Sequence, residues 1–159
     1  MAVSPAVRRY YAEKIFAQTT REQGPPNFRP LDQEPSGVAT VEGCRGGGKN
    51  ILEVFLVAKE DRVAAIWVAC GLCNPAMLVA ADIVVDWARG RELETVLGLD
   101  ASDPDALDPF FDILGSDDRP DDAREKLQDA LAADQHAVLD HLGRPVPPLP
   151  EIRPLTEGD

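Results

Sequence analysis

The stretch NILEVFLVAKEDRVAAIWVACGLCNP, residues 50–75, decides how this chain folds. Ile51 to Ala58 is a β-branched and aromatic run with Glu53 as its only polar residue, and Val63 to Ala69 is a second apolar run. Between them Lys59-Glu60-Asp61-Arg62 is a polar break short enough to be a hairpin turn. Cys70 ends the second run, Cys73 follows three residues later, and Asn74-Pro75 supplies a cap and a first-turn proline for a helix. Upstream, Val38 to Val41 is a further short strand that ends at Gly43-Cys44, before Gly46-Gly47-Gly48. The centre of the chain therefore reads as a small antiparallel meander that runs straight into a helix.

The flanks follow from periodicity. In the helix from Asn74 to Gly90, Asp82, Asp86 and Arg89 fall at i, i+4 and i+7. They predict one wet stripe, with Met77, Ala81, Val84 and Ala88 packing on other faces. Val7, Tyr10 or Tyr11, Ile15 and Phe16 recur at helical spacing between Ser4 and Thr20. Residues 24–36, with Gly24, Pro25, Pro26, Pro30 and Pro35, read as an extended connector without an element. Leu93 to Leu97 adds a short helical turn, and Ala101 to Asp118 mixes aspartates with Leu107, Phe110, Phe111, Ile113 and Leu114. A second amphipathic helix runs from about Pro120 to Leu142. Its apolar stripe is Leu127, Leu131, Val138 and Leu142, and acids such as Asp129 and Asp134 are expected to solvate the outer face. His136 and His141 read as solvated side chains. One domain over 1–142 and a Pro-rich, disordered tail over 143–159 complete the expectation.

The chain has 159 residues, 44% hydrophobic and 28% charged, which suits one domain with an apolar core. The net charge is −12, and residues 100–159 carry nearly all of it, with 16 acids against 5 bases. Without a basic cluster the chain cannot neutralise phosphates, so nucleic acid and anionic membrane surfaces are excluded as partners. No secretory signal follows Arg8-Arg9, and the stretch from Val63 to Val85 is too interrupted to span a bilayer. Three cysteines without an export signal point to a reducing, cytoplasmic setting, where thiols serve as metal ligands or nucleophiles.

Those cysteines are the chemistry-bearing feature. Cys44 lies in a Gly-rich stretch whose backbone can approach a ligand closely. The Cys70/Cys73 pair sits at a strand-to-helix turn, where both sulfurs can point to one site and the helix start favours thiolate over thiol. No catalytic triad or paired acid and base is visible. Gly46-Gly47-Gly48-Lys49-Asn50 lacks the upstream glycine and the Ser/Thr of a phosphate-binding loop. The chain is therefore not expected to be an enzyme.

Five segments carry a family resemblance. Gly37-Val-Ala-Thr-Val-Glu-Gly43-Cys44, the run to Cys70, and the helix ending Asp86-Trp87-Ala88-Arg89-Gly90-Arg91 resemble the iron–sulfur cluster assembly scaffold of the NifU/IscU type. Tyr11-Ala-Glu-Lys14-Ile15 is similar to that family's opening helix, and Arg119-Pro-Asp-Asp122-Ala123 is similar to the segment holding its third cysteine. The resemblance covers residues 8–142. It implies an α+β fold, a three-stranded antiparallel sheet packed against several helices, with a labile [2Fe–2S] cluster held at one end. It also implies a cysteine desulfurase as sulfur donor and apo-proteins as acceptors.

The departures from the family reshape the implied ligand set. Asp122 stands where the family has its third cysteine, and Arg45-Gly46 stands where the family has the Gly-Asp associated with cluster lability. Between Cys70 and Trp87 the chain is about one helical turn longer, and the extra residues include Cys73. Cys73 is then expected to replace the missing thiolate, which would give Cys44, Cys70, Cys73 and Asp122 as ligands for the cluster or its iron precursor. Aspartate oxygen is a harder donor than thiolate and holds an iron–sulfur cluster less firmly. Two alternatives remain open. Trp67-Val-Ala-Cys70-Gly-Leu-Cys73-Asn-Pro also resembles the thioredoxin-type redox motif, and three sulfurs with one carboxylate would suit zinc in a closed structural site of a binding module.

Overall fold

In the computed structural model of the chain, residues 4–19, 25–43, 50–71, 73–100, 102–116 and 119–145 are described. The meander is present as read: β1 (Gly37–Gly43), β2 (Asn50–Lys59) and β3 (Arg62–Gly71) form one antiparallel sheet in the order β1-β2-β3. Among the described residues five α-helices accompany the strands: α1 (Pro5–Tyr10), α2 (Pro75–Ala88), α3 (Leu93–Leu97), α4 (Asp108–Leu114) and α5 (Asp121–Leu142). The architecture is α+β, as the resemblance implies.

Alternation along the strands decides which face is buried. Val41, Leu52, Val54, Leu56, Ile66 and Val68 share one face and are all at most 2% exposed. That face packs against α5 and α2, whose Met77, Ala81, Ile83, Val84, Leu127, Leu131 and Val138 join it in one core. Shortening Met77, Ile83, Leu127 or Leu131 to alanine should cost about 2 to 5 kcal/mol, because the lost contacts leave a void. On the opposite face Phe55 stacks on Trp67 at 5.6 Å between centroids, with Val57 and Ala65 beside them. No helix among the described residues is long and apolar enough to cross a membrane.

Local chemistry sets the element ends. The β2–β3 hairpin turns on Glu60 and Asp61, both in the left-handed region (φ 54° and 63°), the backbone that a two-residue turn between twisted strands requires. Asn74 caps α2 by accepting the Met77 N–H at 2.9 Å, with Pro75 in the first turn. Gly143, at φ 68°, stops α5. At the sheet edge α5 lies against β1: Asp140 Oδ2 accepts the Val38 N–H at 2.9 Å, so a helix side chain occupies one of the edge strand's donors. Beside it Gly37 permits the close approach, since a Cβ there would collide with the Ala137 carbonyl oxygen.

Several expectations are corrected. The opening helix is α-helical only over Pro5–Tyr10, then widens into a π turn (Tyr11–Ile15) and closes with a 3₁₀ turn (Phe16–Gln18); Phe16 is 68% exposed rather than packed. The connector holds an element, the 3₁₀ turn Pro26–Phe28, because its Asn27 inserts into a polar network on α2. The wet stripe of α2 is wet only at its end, for Asp82 is buried while Asp86 and Arg89 are near the surface. On α5, Asp129, Asp134 and His136 are buried rather than solvated. Helical periodicity marks one apolar face, but α5 is enclosed on more than that face. The expected tail beyond residue 145 lies outside the described residues.

Candidate thiol and metal site

Strand register gathers the chemistry-bearing segments at one end of the sheet. Gly43 pairs with Asn50, Glu42 with Ile51 and Ile51 with Gly71, and Leu52 bridges Val41 to Cys70. The end of β1, the start of β2 and the end of β3 are therefore side by side. Cys44, next after Gly43 in sequence, lies outside the described residues. Cys70 shares its face with Leu52 and Val41, so it turns toward the helices and packs, half-buried, on the core. Cys73, also half-buried, places its Sγ 3.8 Å from the Ile51 carbonyl oxygen and 3.6 Å from that of Gly71. The short excursion from β3 back into α2 brings the two cysteines to a Cα–Cα distance of 5.8 Å, and they are joined in a disulfide.

Asp122 is held by a different contact. It stands in the first turn of α5, where its Oδ2 accepts the Ser4 backbone N–H at 3.2 Å and ties the amino-terminal segment to that helix. Asp121 pairs instead with Arg124 at 3.1 Å. The starts of α2 and α5 are neighbours: Ala76 and Ala80 of α2 and Ala123 and Leu127 of α5 line one apolar junction with Val7, Val79, Ile83 and Leu114. Asp122 and Cys73 thus belong to the same end of the molecule. Among the described residues, however, no three His, Cys, Asp or Glu side chains come together as a metal-holding group. The structure joins Cys70 to Cys73 and does not gather Asp122 with them.

The network that sets α2 in place was not legible as a unit. Tyr10 Oη donates to Asp82 Oδ2 at 2.6 Å, and Asn27 Nδ2 donates to Asp82 Oδ1 at 2.8 Å and to Asp86 Oδ1 at 2.9 Å. Arg89 completes it, donating to Asn27 Oδ1 at 2.6 Å and to Asp86 at 2.9 Å. Burial pushes the Asp82 carboxyl up, against the hydrogen bonds from Tyr10 and Asn27. Burial, reinforced by Asp82, pushes the Tyr10 hydroxyl up as well. The one signal in the sequence was Asp82, an acid set amid the apolar run of α2. These bonds tie α1 and the connector to α2, the helix whose start carries Cys73.

What the arrangement can do depends on oxidation state. As a disulfide the pair has no thiolate to offer. Reduced, it presents two soft donors three residues apart at a helix start, a donor set suited to iron or zinc.

No protein-family model matches the sequence, and no curated protein matches it. Solved structures do. One is a protein assigned to the SUF system of the thermophile Fervidobacterium islandicum AW-1 as an iron–sulfur cluster assembly scaffold: TM-score 0.56, 10% identity, covering 86% of this chain and 96% of that one. Another is the amino-terminal part of a nitrogen-fixing NifU-like protein from Brucella abortus: TM-score 0.59, 10% identity, covering 89% of this chain and 95% of that one. With a three-stranded meander backed by α2 and α5 and end-to-end coverage of both structures, the chain has the NifU/IscU-type fold.

Proposed function

We propose that this chain is an iron–sulfur scaffold-type carrier. In this reading it binds a labile [2Fe–2S] cluster, or the iron that precedes it, through Cys44, Cys70 and Cys73, with Asp122 as the fourth donor. It takes sulfur from a cysteine desulfurase, hands the cargo to apo-proteins, and catalyses no reaction of its own. The observation that carries the reading is a pair of cysteines at the sheet end of a fold shared with a protein described as an iron–sulfur assembly scaffold. Cys44 follows Gly43 in sequence, and the β2 partners of Gly43 and Gly71, Asn50 and Ile51, are adjacent. Asp122 would join them through its carboxylate, one oxygen of which accepts the Ser4 N–H. Protein purified without air is expected to contain iron with an equal amount of acid-labile sulfide. Zinc without sulfide, persisting after anaerobic treatment with iron and sulfide, would replace this reading with the zinc-stabilised binding module.

A second reading, a thiol–disulfide oxidoreductase, is favoured by one observation, the Cys70–Cys73 disulfide. The all-antiparallel meander offers no βαβ unit among the described residues to support a thioredoxin-type site. Reduction of a protein disulfide by the wild type and not by Cys70→Ser would establish it.

A further inference from the structure

The same two sulfurs serve two incompatible states. Cys70 is held at the end of β3 and Cys73 just before the Asn74 cap of α2, and their Cα atoms are 5.8 Å apart. That spacing is one a disulfide bridges without moving either element. Both residues are half-buried, and Cys73 sits at the margin where β3 leaves the sheet. A sulfur committed to a disulfide has no thiolate lone pair of the kind that holds iron or zinc. When Cys70 and Cys73 are bonded, both of the soft donors that the described residues bring together are withdrawn from metal.

We propose that Cys70 and Cys73 are a two-electron redox gate on metal loading: the mutual disulfide closes the site, and a dithiol reductant opens it. This rests on the metal-carrying reading above. In the opening direction a thiolate of the reductant attacks one of the two sulfurs, breaking the Cys70–Cys73 bond and forming a mixed disulfide. The reductant's second thiol attacks that bond and leaves as the reductant's own disulfide. Two electrons and two protons pass to Cys70 and Cys73. Metal then takes both thiolates and releases the two protons. Because the two events compete for the same sulfurs, bound metal must protect the pair from oxidation by the factor that oxidation weakens metal binding.

The test uses the full chain and zinc ion alone as the probe, with affinity read by competition against a chromogenic chelator. Peptide mapping of alkylated protein assigns the disulfide to Cys70 and Cys73. Phosphine-reduced protein is expected to bind zinc at least about 100-fold more tightly than the disulfide form, the order expected when two thiolate ligands are withdrawn. Zinc bound to the reduced chain should also protect the pair from oxidation by a small-molecule disulfide, read by alkylation with and without zinc. Equal zinc affinity in both redox forms would overturn the gate and leave the metal-carrying reading standing. A pair that stays oxidised in excess dithiol would also overturn the gate. A reduced chain that binds neither zinc nor iron with sulfide would overturn the metal-carrying reading, and the gate with it.

Discussion

Asp134 and Asp82 are both acids on long helices that a periodicity count assigns to wet positions, and both are buried. They differ in company. Asp82 has both carboxylate oxygens engaged, by Tyr10 and Asn27. Asp134 is 2% exposed, its Oδ2 has no hydrogen-bond partner among the described residues, and burial pushes its carboxyl well up. The folded chain therefore keeps a proton that the unfolded chain releases. Stability is lost as pH rises from the ordinary carboxylate range toward the raised folded value, at no more than about 1.4 kcal/mol per pH unit. Asp134→Asn is neutral throughout and lacks that slope. Urea denaturation at pH 4.5 and pH 7 should find the variant gaining on the wild type at the higher pH; an unchanged difference would show that Asp134 ionises without cost. At this scale the closeness of Cys70 and Cys73 was legible, since three residues of spacing at a strand-to-helix turn leave little freedom; their bonding to each other was not, because the same spacing reads as a pair of free thiolates. The Asp122 contact was not, because Ser4 lies 118 positions away in sequence.

Among the elements, the hairpin and α2 were read correctly because their signals are local: a two-residue turn at Glu60-Asp61 and an Asn74-Pro75 start. The Pro26–Phe28 turn was missed for the opposite reason. Its stability comes from Asn27 reaching Asp82, 55 positions away, and nothing within the connector announces that bond. The closeness of α5 to β1 is likewise a tertiary fact, and Gly37 carries it. Gly37→Ala would push a methyl into the Ala137 carbonyl and force α5 away from the edge strand, breaking the Asp140 to Val38 bond. A loss of about 1 to 3 kcal/mol is expected, the cost of overpacking a close contact. An unchanged urea midpoint would mean that α5 can shift freely along β1.

On the scale of the whole molecule, the sheet order, the flanking helices and the placement of two cysteines at one end agree with the reading of residues 50–75, because alternation, turn and cap signals all pointed the same way. The ligand set was less legible, for it depends on which loops and helix starts meet, and a linear spacing holds no such distance. The structure turns that question into one about redox state, since the pair that should hold cargo is also the pair that bonds to itself. The most direct test is anaerobic reconstitution of the fully reduced chain with ferrous iron and sulfide, followed by absorption spectroscopy and transfer to an apo-ferredoxin. Sulfide-to-iron charge-transfer bands in the wild type, their loss in Cys70→Ser and transfer of the cluster to the acceptor are the predicted results. A reduced, folded wild type that develops no such bands would contradict the account.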